Sequence, residues 1–381
     1  MKRLLCSLAV AAGFCLAAAP AWAHHSFAAE FDEHKPVTLK GVVTEFLWDD
    51  PHVYIVLDVT DSSGNIANWS VEWASPIDLR TAGWTRDSVK VGDLVTAEGS
   101  RARDGSLLAG GKFVVLPGGK KLMEAAPGSG EAAPRRAQKK PAPRWPDGHP
   151  RFGAVAGELG YWSSPTASSL VETTAGRVRM NRDGLLANVA DAPKVAPFQP
   201  WALGLYQYRQ RNLLKDDPMV SCLPPGGPRQ FQVPYGVQFL EDPARQRIFV
   251  ISGGANRNWR LIYLDGRTFP QNEDVTPTYF GYSTAHWEGD TLVVQSSGFN
   301  ERFWFSNGGL PHTEALRLTE RFSRPDFNTL KYEVTVDDPG AYTRPWTSGW
   351  TLEWVPNQEM QEYFCEDDDR DPAHLTEEIS H

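Results

Sequence analysis

Eight short runs between Gly236 and Cys365 decide what this chain can become. They are Gly236–Glu241, Arg247–Ser252, Trp259–Leu264, Thr291–Ser296, Ala315–Phe322, Thr329–Asp337, Trp346–Trp354 and Gln361–Cys365. Each alternates apolar with polar residues, and turn residues separate them: Asp242-Pro243, Asp265-Gly266, Glu288-Gly289-Asp290 and Arg324-Pro325-Asp326. Period-two alternation with explicit turns at regular spacing predicts antiparallel strands, and their meander favours a lipocalin-like barrel, with a sandwich as the alternative. With 33 Gly, 29 Pro and 14 Trp in 381 residues, a helical bundle is excluded.

The first hundred residues of the expected mature chain read as a second, smaller β unit. Val37–Trp48, Val53–Val59, Ala67–Trp73, Val95–Ser100 and Leu107–Leu116 are rich in β-branched and aromatic residues. Ile77–Gly83, after the third of them, has room for one helical turn. Five strands with a short helix after the third is the inventory of an OB-like barrel. The fold class expected is therefore mainly β, a small OB-like barrel followed by a larger antiparallel one.

Between them, residues 124–150 are Ala, Pro and Gly with Arg135, Arg136, Lys139, Lys140 and Arg144 interspersed. Almost nothing there can enter a core before Trp145, so the stretch is expected to be a linker. Residues 151–381 then form the larger domain. It opens with weakly patterned chain and an expected helix over Trp201–Asn212, where apolar residues recur every three or four positions.

Residues 1–23 look like a secretory signal: Lys2 and Arg3, an apolar run from Leu4 to Ala19, and the small-x-small site Ala21-Trp22-Ala23. Residues 24–123 would then be the OB-like domain of a periplasmic or secreted protein without a transmembrane segment. Cleavage removes Cys6 and Cys15 and leaves Cys222 and Cys365, which in an oxidising compartment are expected to pair. Such a bridge closes a long loop, worth roughly 4–5 kcal/mol in the chain-entropy model. The formal charge of −9 argues against nucleic acid as a partner.

Chemistry is harder to read. The sequence lacks a phosphate-binding Gly-rich loop, a GxSxG nucleophile elbow and a Cys/His metal spacing. What remains is acid–base equipment, with His286, His312, Glu314 and Asp265 as the catalytic candidates and Asp290, Glu320 and Glu353 beside them. Asp265 and Asp290 stand in turns, where Asp is favoured for backbone bonding alone. Trp346, Trp350 and Trp354 stand four apart and share one strand face with Ser348 and Leu352. Tyr263, Arg267, Trp287, Trp346 and Trp350 are the ligand-binding candidates, because aromatic walls bind rings and apolar molecules by stacking and burial. An ordinary aromatic core is the plainer reading of the same face.

The leading expectation is binding of a small hydrophobic or aromatic molecule in the larger barrel. The alternative is a cofactorless isomerase, lyase or hydrolase acting there. A third reading concerns copper: after cleavage His24 would offer its amine and imidazole together, with His25, His34 and His52 as further nitrogen ligands. No other cofactor is expected.

Two stretches carry resemblances. The phrase AHHSFAAEFD followed by GVV and W.DPH resembles an exported bacterial family known only as a domain of unknown function. IYLDGR (262–267), HWEGDTLVVQSSGFN (286–300), LPHTEALRLTERF (310–322) and VDDPGAYTRPWT (336–347) resemble a group of uncharacterised exported bacterial proteins. The first resemblance implies a periplasmic barrel, and neither implies a reaction.

Overall fold

The structure, a computed structural model, describes residues 27–49, 52–123, 140–163, 170–173, 178–181, 184–233, 235–254, 259–270 and 276–360. The expected signal segment, His24, His25, residues 124–139 and the expected strand Gln361–Cys365 lie outside them. The chain is mainly β.

The N-terminal unit begins with the short helix α1 (Phe27–Glu30) and the long strand β1 (Phe31–Trp48). β2 (Val53–Thr60), β3 (Ile66–Glu72), helix α2 (Pro76–Thr81), β4 (Leu94–Ala102), β5 (Leu108–Val115) and β6 (Lys121–Met123) follow. The strands hydrogen-bond in the order β3-β2-β1-β4-β5-β6, and a parallel pairing of β3 with β5 closes a five-stranded ring. This is the OB-like connectivity, with α2 after the third strand as the sequence implies. Ser75 starts α2, its hydroxyl accepting from the Asp78 amide, and Pro76 enters the first turn. Trp48, Trp69, Trp73 and Trp84 sit in this unit's core with Val53, Ile55 and Leu79.

The larger unit is a closed barrel. Its strands are β7 (Gly160–Trp162), β8 (Val237–Asp242), β9 (Arg247–Ser252), β10 (Trp259–Tyr263), β11 (Tyr282–Glu288), β12 (Thr291–Ser297), β13 (Arg317–Asp326), β14 (Thr329–Asp337) and β15 (Trp346–Pro356). Each pairs with its neighbours in sequence, and β15 pairs with β7 to close the ring. One pair departs from the antiparallel expectation: β10 and β11 run parallel, Ile262 opposite Ser283. Gly160 is required at the seam, since a Cβ there would collide with the Trp354 indole.

Three strands show why the ring closes around a core. Leu318, Glu320, Phe322 and Arg324 on β13, and Leu330, Tyr332, Val334 and Val336 on β14, are buried while their neighbours are not. β15 buries Trp346, Ser348, Trp350, Leu352 and Trp354, so the three Trp do share the inward face. One end of the barrel is formed by tight turns. The other is capped by residues 184–233, including helix α3 (Pro200–Arg211), and by residues 298–316. Gln210 of α3 ties this cap together: its carbonyl accepts from the Leu186 amide at 2.8 Å, and its amide donates to Gly184 O and Gly308 O.

Residues 140–150, expected within the linker, are instead docked on the turn end. Arg144 forms a two-pronged pair with Asp290 at 2.6–2.8 Å, the Trp145 indole donates to Glu241 at 3.0 Å, and His149 stacks on Trp287. The aromatic and guanidinium groups of WPDGHP find partners that its Pro-rich composition does not announce.

Candidate functional site

The barrel is filled from both ends. At the turn end Phe152 packs on Phe239, Phe322 and Trp287, with centroids 5.5–6.3 Å away. From the capped end the helical turn Gly227–Phe231 enters with all five residues buried, and Phe231 reaches Phe239, Phe322 and Tyr332. Two aromatic plugs therefore meet on the same pair of rings, and the middle is closed. A cavity of about 190 Å³ near the turn end is lined by Trp145, Arg151, Gln238 and Glu241. It is smaller than the ~300–1,000 Å³ usual for ligand pockets.

Inside the wall lies a buried ion pair. Arg260 of β10 donates to both oxygens of Glu320 on β13 and to Ser283 and Ser296 on the two strands between, at 3.0 and 2.7 Å. The Tyr332 hydroxyl donates to Glu320 at 2.9 Å. Burial pulls the Arg260 pKa down, but the Glu320 charge and hydrogen bonds outweigh it, so the guanidinium is held above its ordinary value. Burial also drives the Tyr332 phenol well above its usual range. The network joins five strands and leaves its ions well matched.

The interior near the cap is different. Among the described residues, the indole N–H groups of Trp346 and Trp350, the Ser252 hydroxyl and the Gln230 carbonyl oxygen are buried without a hydrogen-bond partner. All four belong to inward-facing positions or to the inserted turn. The ladder Trp354–Trp162–Val237–Ser252 sets the last residue of β9 level with Trp354, and Trp350 and Trp346 lie beyond it toward the cap. Gln230 reaches the same strand, its amide donating to Val250 O at 3.0 Å. β7 has only three residues, and further along β15 Thr173 bonds to Thr347 O at 2.8 and 2.9 Å. An unpaired buried donor or acceptor costs about 1–3 kcal/mol, and others are found at Trp48, Trp73, Ser100, Arg151, Tyr206 and Arg324.

Residues 13–111 match the sequence model of a family of unknown function, DUF6152. No curated protein is significantly similar in sequence. One similar solved structure is the mitochondrial single-stranded DNA-binding protein Rim1 of S. cerevisiae, 16% identical over 23% of this chain and 95% of Rim1. Its TM-score of 0.18 carries no argument about function.

The other expected site residues are scattered. His286 lies on the outward face of β11, over half exposed, with Nε2 3.2 Å from Glu288, which pairs in turn with Arg321. Strand parity puts this catalytic candidate beside Tyr282 and Thr284, outside the barrel. Trp287 points the other way and packs against His149 and Phe152 as part of the plug. Tyr263, Asp265 and Arg267 do gather. Arg267 stacks over the Tyr263 ring at 3.8 Å and reaches the Tyr282 hydroxyl at 3.3 Å. Its hydrogen bonds hold the Asp265 carboxyl below its ordinary range. This cluster is on the outer wall, away from the interior. Glu314 is exposed, its amide donating to Glu301.

His312 is enclosed in the cap, its ring against Phe303 and Phe305 and its nitrogens 3.0 and 3.3 Å from the carbonyls of Phe303 and Thr313. Burial depresses its pKa despite those carbonyls. The unfolded chain, titrating near pH 6.5, therefore binds this proton more readily than the folded one. Stability contributed by neutral His312 should fall as pH drops from about 6.5 toward its lowered folded pKa. Denaturant midpoints from pH 7.5 to 5 should show that loss, and His312→Gln should flatten it; an unchanged slope would contradict the assignment.

Sequence reasoning missed Arg260, Ser283, Ser296, Gln230 and Ser252. The available signal was parity: Glu320 falls on the apolar face between Leu318 and Phe322, and a charge there calls for a buried partner. Cys222 ends the helical turn Pro218–Ser221 in a left-handed conformation, and Cys365 lies outside the described residues.

Proposed function

We propose that the protein is exported, with residues 1–23 removed, and binds a small hydrophobic or aromatic molecule at the capped end of its C-terminal barrel. The observation that carries this reading is the inward aromatic face of Trp346 and Trp350, whose buried indole N–H groups have no hydrogen-bond partner among the described residues. Two indole donors and a hydroxyl, set among aromatic rings, suit a compact apolar ligand that carries an oxygen acceptor; the Gln230 carbonyl suits a donor on it. Buried Trp usually finds a partner for its N–H, and a ligand would supply one. The acid–base alternative loses support because His286 and its carboxylate face outward, while His312 is enclosed by rings and main-chain carbonyls.

Native mass spectrometry of the protein purified from the periplasm tests the reading. A small molecule in 1:1 ratio, released on denaturation, is expected. Protein of bare polypeptide mass that takes up no compound from a cell extract would refute it.

Export also bears on the cysteines. We propose a Cys222–Cys365 bridge, because these are the two cysteines that cleavage would leave in the chain. Thiol titration of the denatured, unreduced mature protein should find none, and two thiols per chain would exclude the bridge.

A further inference from the structure

β7 meets β8 only where Trp162 faces Val237, so Gln238–Glu241 present an edge without a ladder partner on that side among the described residues. Residues 151–154 run along this edge. The Phe152 and Gly153 amides donate to Glu241 Oε2 at 3.0 and 2.9 Å, and a Cβ on Gly153 would lie 2.4 Å from Phe239 O. Between them is the cavity of about 190 Å³, with Trp145, Arg151 and Ala154 on one side and Gln238, Leu240 and Glu241 on the other.

Hydrogen-bonding capacity around this cavity is unbalanced toward donors. Glu241 is well supplied, Oε1 accepting from the Trp145 indole and Oε2 from the two amides. Arg151 is not. Its Nη2 donates to Ala154 O at 3.3 Å, while Nε and Nη1 have no partner among the described residues. The guanidinium is nonetheless held in place, 3.9 Å over the Trp145 ring, and the Arg151 amide donates to Pro143 O at 2.8 Å.

Charge is unbalanced in the same sense. Arg324 is 3% exposed, donates to the carbonyls of Arg151, Gly153 and Phe327, and bonds no carboxylate. Burial lowers its pKa to about 10, with Glu241 the strongest opposing influence, so it stays a cation at neutral pH. Two guanidiniums therefore draw on the one carboxylate of Glu241, because Arg144 nearby is already matched by Asp290. A free guanidinium edge suits the planar, two-oxygen geometry of a carboxylate.

The geometry points to a second binding site here, for a small organic acid whose carboxylate sits on Arg151 and whose apolar part lies against Leu240 and Trp145. Size narrows the class: an apolar cavity of about 150 Å³ holds benzene, so about 190 Å³ takes an acid of benzoate size and excludes a long-chain one. This site lies at the turn end of the barrel and does not rest on the ligand proposed for the capped end.

The test is titration of the purified full chain with sodium benzoate, following the indole N–H resonance of Trp145. A saturable shift is expected. Benzyl alcohol, the same ring without the charge, should bind at least about 10-fold more weakly, and Arg151→Gln should weaken benzoate by a similar factor. Leu240→Trp keeps Arg151, fills the cavity from a side chain that is 47% exposed, and should abolish the shift without lowering Tm. No saturable shift, equal affinity for benzyl alcohol, or full affinity in either folded variant would overturn the site. Shifts at Trp346 and Trp350 in place of Trp145 would put benzoate at the capped end and overturn it equally.

Discussion

Replacing Arg260 with Met is expected to destabilise the barrel by about 3–5 kcal/mol, the usual result of removing one partner from a buried ion pair. The cause is what remains. Glu320 is fully buried, and without the guanidinium it keeps the Tyr332 hydroxyl as a donor but loses the charge that offsets its burial. Ser283 and Ser296 lose a shared donor as well, keeping the 2.9 Å contact with each other. Arg260→Met combined with Glu320→Leu should recover most of the loss, because an apolar pair of similar volume removes the stranded charge. Urea denaturation of the two single variants and the double variant checks this. A single variant as stable as the wild type would show that water reaches Glu320 and that the barrel is not closed there.

Phe231→Ala should have a comparable effect, about 3–5 kcal/mol, by opening a hole where three strands and the inserted turn meet. Phe231 is 1% exposed and touches Phe239, Phe322 and Tyr332. At about 2–4 °C per kcal/mol for a unit of this size, Tm should fall by roughly 10 °C. Tm within a degree or two of wild type would mean that Gly227–Phe231 does not plug the barrel.

Where the strand pattern was strong it placed the elements well. β9, β12, β14 and β15 lie where alternation and β-branched residues put them, and the helix expected over Trp201–Asn212 is Pro200–Arg211. β11 was hidden because its inward residues begin with Ser283 and Ala285, too small to mark an apolar face. β7 was hidden because three residues, Gly160–Trp162, hold no period. The turn after β13 falls at Phe327–Asn328, beyond the Arg324-Pro325-Asp326 signal, because Arg324 turns inward and donates to the carbonyls of Arg151 and Phe327.

The candidate site was legible only in part, for a related reason. The four-residue spacing on β15 correctly set Trp346 and Trp350 on the inner face. Ser252 and Gln230 come from a strand end and a helical turn far along the chain, which alternation within one strand does not reveal. The outward parity of His286 was not legible, because the strand that carries it has small inward residues and no marked apolar face.

The binding site is tested most directly at the indole N–H groups of Trp346 and Trp350. Their nitrogen–proton resonances, assigned with Trp346→Phe and Trp350→Phe, can be recorded for protein as isolated and after the bound molecule is stripped by unfolding and refolding. Both resonances should move between the two states and return when the extracted molecule is added back. Resonances that stay in place, with no molecule recovered, would contradict ligand binding at the capped end of the barrel.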